Sequence, residues 1–265
     1  VSSFLEEILR VKEQEVTALP DRPTFERNIT LKPSLRKRLL ESDHLQIVAE
    51  FKRASPSKGI IVDTLLPVER AKRYEDAGAA AVSVLTDQTF FRGSLQDLRE
   101  IAESVQIPVL RKDFIISEKQ LREAHAAGAD IVLLIVAALS SERLAELRHF
   151  AAELGLETLI EIHNERELET ALAVEPDILG INNRNLHTFE VSLQTTEQLM
   201  TQIPSSIPVL SESGMATPDD AQRVAIAGVS GLLIGETLMR QGDDQLPGVL
   251  RGFQVKRFPL VKGSY

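Results

Sequence analysis

The chain has 265 residues, 43% hydrophobic and 26% charged, an ordinary globular composition able to bury a substantial core. Its formal net charge of -9 argues against general affinity for nucleic acid or an anionic membrane, and no run of about 18 apolar residues suggests a membrane-crossing helix. Cysteine is absent, which excludes disulfide and thiolate chemistry. The opening residues lack a basic start followed by an apolar run, so a cytoplasmic protein is expected.

Residues 3–18 are expected to form an amphipathic helix. Ser3 and Glu6 have capping-box spacing, and Leu5, Ile8, Leu9 and Val16 supply most of an apolar stripe. A proline-bearing loop, Leu19 to Pro33, leads to a second short helix over Pro33 to Glu41. From residue 47 the texture changes. Short apolar runs recur at Ile47–Phe51, Ala80–Leu85, Pro108–Leu110, Ile131–Val136, Thr158–Ile162, Ile178–Ile181, Pro208–Leu210 and Gly231–Ile234. The gaps hold helical patterns such as Pro67–Ala77, Ser117–Ala127, Ser141–Leu154, Asn164–Val174 and Pro218–Ala227. Three of these end in Gly78, Gly128 and Gly228, where glycine supplies the left-handed conformation that stops a helix. Eight strands alternating with helices predict an α/β fold, a (β/α)8 TIM barrel with an N-terminal helical extension. No composition break divides the chain, so residues 1–265 are expected to be one domain, with 1–46 an extension packing on the barrel.

Polar residues cluster where the apolar runs end. The first gives Glu50 and Lys52, the third Lys112 and Asp113, and the fifth Glu161. The sixth gives Asn182, Asn183 and Arg184, the seventh Ser211, Glu212 and Ser213, and the eighth Gly235 and Glu236. In a closed barrel these ends share one mouth. A single lysine there reads equally well as a solvated strand end, Glu161 and Asn182 have a reading as structural polar residues of the barrel, and Lys112 with Asp113 has one as a local ion pair. Buried charges are costly to desolvate, so six such ends together point to a reaction site. A phosphate subsite is the second expectation. Ser55-Pro56-Ser57-Lys58-Gly59, Ser213-Gly214 and Gly235-Glu236 combine hydroxyls, a cation and exposed backbone amides after strands one, seven and eight. No dinucleotide, Walker or His-Glu-x-x-His motif is present, and the five histidines read as surface or packing residues. Phe90 and Phe91, beside the polar Arg92-Gly93-Ser94, look like a wall for a ring.

At these residues the sequence resembles the indole-3-glycerol phosphate synthase family. The segments that carry the likeness are Ile47 to Gly59, Leu110 to Phe114, Gly180 to Leu186 and Ser211 to Gly214. The resemblance implies a carboxy-lyase of tryptophan biosynthesis acting on a phosphorylated small molecule, 1-(2-carboxyphenylamino)-1-deoxyribulose 5-phosphate. The implied products are indole-3-glycerol phosphate, carbon dioxide and water. It implies no metal and no organic cofactor; the net charge argues against a nucleic-acid or membrane partner, and a monomer is expected with the oligomeric state left open.

By the same resemblance Lys112 is the proton donor to the ribulose carbonyl oxygen and Glu161 the base for dehydration, with Lys52 a second acid candidate. Glu50 orients a lysine, while Asn182, Glu212 and Arg184 hold the substrate. Phe91, Phe114 and Leu186 form the apolar wall around the anthranilate ring. Ser55, Ser213, Gly214, Gly235 and Glu236 form the phosphate subsite. Glu236 departs from the serine of relatives, so it is expected to offer only its backbone N–H and to turn its carboxylate away. The N-terminal helices are expected over the mouth. Two rival readings remain open at this point: another phosphate-binding barrel, such as a Schiff-base aldolase, and a non-catalytic binder of phosphorylated ligands.

Overall fold

The computed structural model describes residues 4–258 except 24, 29–31, 57, 63 and 187. Ser3, Ser57 and His187 therefore lie outside the described residues. Eight apolar runs form strands: β1 (Gln46–Phe51), β2 (Ala81–Leu85), β3 (Val109–Lys112), β4 (Ile131–Ile135), β5 (Glu157–Ile162), β6 (Ile178–Asn182), β7 (Val209–Glu212) and β8 (Gly231–Ile234). Each pairs in parallel with its sequence neighbour, and β8 pairs back onto β1 with Gln46 opposite Gly231, closing the expected barrel.

Closure explains the near-continuous apolar strands, because both strand faces are buried. Residues such as Ile47, Ala49, Val82 and Leu179 face the surrounding helices. Val48, Leu110, Ile131, Leu133, Leu159, Ile178, Leu210 and Leu233 fill the interior. Gly78, Gly128 and Gly228 take φ values of 92°, 90° and 100° at the helix ends where the sequence placed them.

The extension divides between the two ends of the barrel. Helix α1 (Phe4–Ala18) lies at the C-terminal mouth, where Lys12 reaches Asp87 and Asp113, the residues just beyond β2 and β3. Helix α2 (Leu35–Glu41) departs from the expected position over the mouth. Its Leu35 and Leu39 join the interior cluster from the opposite end. Glu157, opening β5, accepts from the N–H groups of Leu35 and Arg36 at 3.1 and 3.2 Å, where the first turn of a helix offers unpaired donors. Arg38 bonds Gln46 at the start of β1 at 2.7 Å. Strand starts, not strand ends, hold this helix.

Two local features near the mouth were not read from sequence. Asp87 caps a single helical turn, Gln88–Phe91, by accepting from Phe90 and Phe91 N–H, and Arg92 ends it at φ 52°. The segment after β1 forms a small antiparallel hairpin, Ala54–Ser55 against Gly59–Ile60. Both are too short for hydrophobic periodicity to reveal.

Candidate active site

Parallel strands bring all their C-terminal ends to one rim, and a cavity of about 720 Å³ opens there. Every residue given a catalytic or substrate-binding role through the resemblance lines it: Glu50, Lys52, Ser55, Phe91, Lys112, Phe114, Glu161, Asn182, Arg184, Leu186, Glu212, Ser213, Gly214, Gly235 and Glu236. At its floor the Lys112 ammonium sits 2.8 Å from Glu161 and 2.7 Å from Glu212, with both carboxylates nearly inaccessible to solvent. Asn182 donates to the other Glu161 oxygen at 3.1 Å, and its own carbonyl accepts from Arg184 N–H. Lys52 pairs with Glu50 at 2.6 Å, as expected for residues two apart on one strand face.

Burial and charge act against each other in this group. Burial opposes the Lys112 ammonium, yet Glu161, Glu212 and Glu50 together hold its pKa well above the ordinary lysine value. Burial would raise the Glu161 pKa, but Lys112 and His163 outweigh it and hold the carboxylate well below the usual range. Glu212 goes the other way. Burial, with Glu161 and Glu50 adding to it, pushes its pKa up to about 7 against the pull of Lys112. Two carboxylates sharing one ammonium cannot both ionise with equal ease, so their proton affinities separate.

Glu212 owes its place to Gly180. A Cβ at residue 180 would overlap Glu212 Oε1 and lie 3.2 Å from Leu159 Cδ1. Gly180→Ala is therefore expected to lower stability by about 1–3 kcal/mol and to displace Glu212 from Lys112. A lower urea midpoint together with reduced turnover is the expected result, and unchanged values of both would refute the packing argument.

The opposite side of the cavity has the character of an anion cradle. Ser55 stands on the hairpin beside Lys58, and Ser213 takes a left-handed φ of 65° next to Gly214 at 87°. A non-glycine residue there carries strain, a frequent sign of a functional position. The Glu236 carboxylate is engaged by Arg240 Nε and Nη2, each at 3.1 Å, along one turn of helix. Across the cavity Phe91 and Phe114 stand with ring centroids 6.1 Å apart and planes tilted by 38°.

Alternation corrects part of the sequence reading. Asn183 and Ser211 turn away from the cavity and join Thr196 in a buried network, with Asn183 Nδ2 2.9 Å from Ser211 Oγ. Asp113 pairs with Lys12 and Arg111 rather than with Lys112. Phe90 packs edge-on against Phe4 in α1, with centroids 5.5 Å apart, instead of lining the cavity. The sequence reading missed Phe4, Leu5 and Ile8, which α1 contributes to the wall, and Leu133, which lines the cavity from β4. Leu133 was recoverable from its period-two spacing with Ile131. It also gave no site role to His163, a largely shielded packing histidine that stands between Glu161 and Glu167. Among the described residues, no group of three or more His, Cys, Asp or Glu is arranged to hold a metal ion.

Comparison with solved structures finds the same barrel fold in other proteins. The tryptophan synthase alpha subunit from Legionella pneumophila matches with a TM-score of 0.60 at 15% identity, over 83% of this chain and 97% of that one. N-acetylmannosamine-6-phosphate 2-epimerase from Clostridium perfringens matches at 0.57 and 15% identity, over 75% of this chain and 90% of that one. At such identity the likeness shows the fold alone. Sequence comparison goes further. The indole-3-glycerol phosphate synthase family matches residues 5–247. The indole-3-glycerol phosphate synthase of Oceanobacillus iheyensis is 47% identical over 265 residues, covering 99% of both chains. That of Shouchella clausii is 47% identical over 243 residues, covering 91% of this chain and 94% of its own. The chain belongs to the indole-3-glycerol phosphate synthase family.

Proposed function

We propose that this carboxy-lyase converts 1-(2-carboxyphenylamino)-1-deoxyribulose 5-phosphate to indole-3-glycerol phosphate, with Lys112 as proton donor and Glu161 as base. The observation that carries the assignment is the Lys112 ammonium held between Glu161 and Glu212 on the cavity floor. Two of its three protons go to those carboxylates, leaving one for a substrate oxygen.

In ring closure the anthranilate carbon bearing the carboxylate attacks the ribulose carbonyl, and Lys112 protonates the oxygen as it gains charge. Carbon dioxide leaves with its bonding pair returned to the ring, which restores aromaticity. Dehydration follows: an ammonium supplies a proton to the departing hydroxyl and Glu161 removes a proton from the new ring, leaving the pyrrole double bond and water. Lys52 is the second ammonium available for that departure and a partner for the substrate carboxylate, with Glu50 holding it in place. Asn182, Arg184 and Glu212 orient the hydroxyl and amine groups. Phe91, Phe114 and Leu186 enclose the ring, and Ser55, Ser213, Gly214, Gly235 and the Glu236 N–H receive the phosphate. Residues 1–265 act as one domain in this proposal, with α1 of the 1–46 extension forming part of the wall. Each group given a role comes from one chain, so a monomer suffices. No helix of the described residues is long and apolar enough to cross a membrane, and a cytoplasmic location belongs with the same biosynthetic reading.

Incubation with the carboxyphenylamino substrate, with chelator and without added metal, is expected to generate indole fluorescence. Glu161→Gln should still bind substrate while turnover falls by roughly 10²–10⁴. Turnover at the parent rate would remove Glu161 as base. Borohydride trapping with a ketose phosphate tests the aldolase alternative: covalent capture at Lys112 would favour it, and no adduct is expected.

A further inference from the structure

A largely shielded imidazole beside the cavity floor has no part in the chemistry above. His163 follows β5 at the position that continues the face carrying Glu161. Its Nε2 lies 3.4 Å from Glu161 Oε1 and its Nδ1 3.0 Å from Glu167 Oε2, with the ring almost shielded from solvent. Glu167, in the first turn of the helix Glu165–Ala173, also accepts from His163 N–H at 2.8 Å and from Asn164 Nδ2 at 2.7 Å, which fixes it in place. The single turn Val136–Ala138, also packed against this strand and helix, carries apolar side chains. Among the described residues, the carboxylates at ion-pair distance from the ring are Glu161 on one side and Glu167 on the other. With Nδ1 in hydrogen-bond contact with Glu167 and Nε2 at ion-pair distance from Glu161, though not in hydrogen-bond geometry, the ring's surroundings favour the protonated imidazolium.

We propose that His163, as an imidazolium bridging Glu167 and Glu161, is a positioning residue that keeps the base ionised and oriented once Lys112 has given up its proton. The proposal rests on the reading of Glu161 as base. Glu161 Oε1 accepts from Asn182 and lies 3.4 Å from His163 Nε2, while Oε2 is engaged by Lys112. When Lys112 protonates a substrate oxygen it becomes neutral, and the positive charge beside Oε2 is lost. The charge still touching Glu161 is then that of His163. Without it a buried carboxylate next to Glu212 takes up a proton and is lost as a base. Glu167 lies outside the cavity lining and acts one step further back, holding the proton on the imidazole.

Geometry and titration agree. Burial alone lowers the imidazole pKa, and Glu161 and Glu167 outweigh it, raising it from 6.5 to about 9. Since the folded value lies above the free value, this contribution to stability is complete below pH 6.5 and disappears as pH rises toward 9.

Three variants test the proposal on the full chain. In His163→Gln the acid limb of the kcat profile, which reports protonation of the base, is expected to move up by about one pH unit or more. Glu167→Gln, which leaves the imidazole in place, is expected to shift it in the same direction. Nitrogen-15 spectra of labelled histidines should show one imidazole, absent from His163→Gln, that remains charged at pH 8 in the parent and titrates lower in Glu161→Gln. A limb that stays put in both His163→Gln and Glu167→Gln, or an imidazole already neutral at pH 8, would overturn the proposal. Glu161→Gln separates the two layers: if it is inactive while the limb stays put, only the role of His163 fails. If it is fully active, the base assignment itself fails.

Discussion

Lys112→Ala is expected to lower kcat by roughly 10³–10⁴ with a much smaller effect on substrate affinity. Two losses coincide. The proposed proton donor for ring closure is gone, and Glu161 and Glu212, each within 2.8 Å of the missing ammonium, are left as adjacent buried carboxylates. Two like charges in one dry site cannot both persist, so one or both take up protons and the base is compromised with the acid. Lys112→Arg separates the two contributions, because guanidinium keeps the charge but does not give up its proton at working pH. It is expected to restore stability and the ionisation of Glu161 while leaving turnover low. Single-turnover indole fluorescence measures the chemistry directly, and equilibrium quenching measures binding. Parent-level turnover in Lys112→Ala would end the acid assignment, and parent-level turnover in Lys112→Arg would make the role purely electrostatic.

The second large effect is expected far from the reacting atoms. Lys12 is 2% exposed, yet it pairs with Asp87 at 2.7 Å, Asp113 at 3.0 Å and Glu15 at 2.7 Å. Burial works against its charge, and Asp113, Asp87 and Glu15 more than compensate, holding its pKa above the ordinary value. Asp113 is in turn held by Arg111 at 3.2 Å and Thr86 at 2.5 Å. Lys12→Met keeps the length of the stem and deletes the charge, leaving Asp87 buried without its cation. Removing one partner of such a pair costs about 3–5 kcal/mol. The remaining contacts of helix α1 include Phe4 against Phe90 and Phe189 and the buried Ile8, and part of that cost is expected as detachment of the helix rather than global unfolding. Phe4, Leu5 and Ile8 would leave the cavity wall with it. The expected signature is a KM raised by an order of magnitude or more, with faster amide exchange confined to residues 4–18. A KM equal to that of the parent would mean that α1 stays in place without Lys12.

How the site could be read from sequence follows from strand geometry. Glu50, Lys112, Glu161, Asn182 and Glu212 sit at the ends of apolar runs, and parallel strands in a closed barrel bring such ends to one rim whatever their separation in the chain. The same rule over-reached with Asn183 and Ser211, because adjacent residues on a strand face opposite sides and only one of each pair can enter the barrel. Which one does so depends on register, and register is settled by pairing with neighbours, as when Asn182 stands opposite Glu212. His163 was passed over for a related reason. As one of five scattered histidines it carries no motif, and the two carboxylates that give it meaning are recognisable only once β5 and the following helix are packed.

Hydrophobic patterning by itself determined that this chain alternates eight strands with helices and that its charged residues collect at one end of them. Local chemistry decided this, since backbone period and helix-stopping glycines act over a few residues. Tertiary structure alone decided that α2 stoppers the end opposite α1, that Glu212 shares an ammonium with Glu161, and that the His163 imidazole stands beside Glu161. Those arrangements depend on charges from distant segments being desolvated together, and the energy of such a contact exists only when the barrel has closed around it.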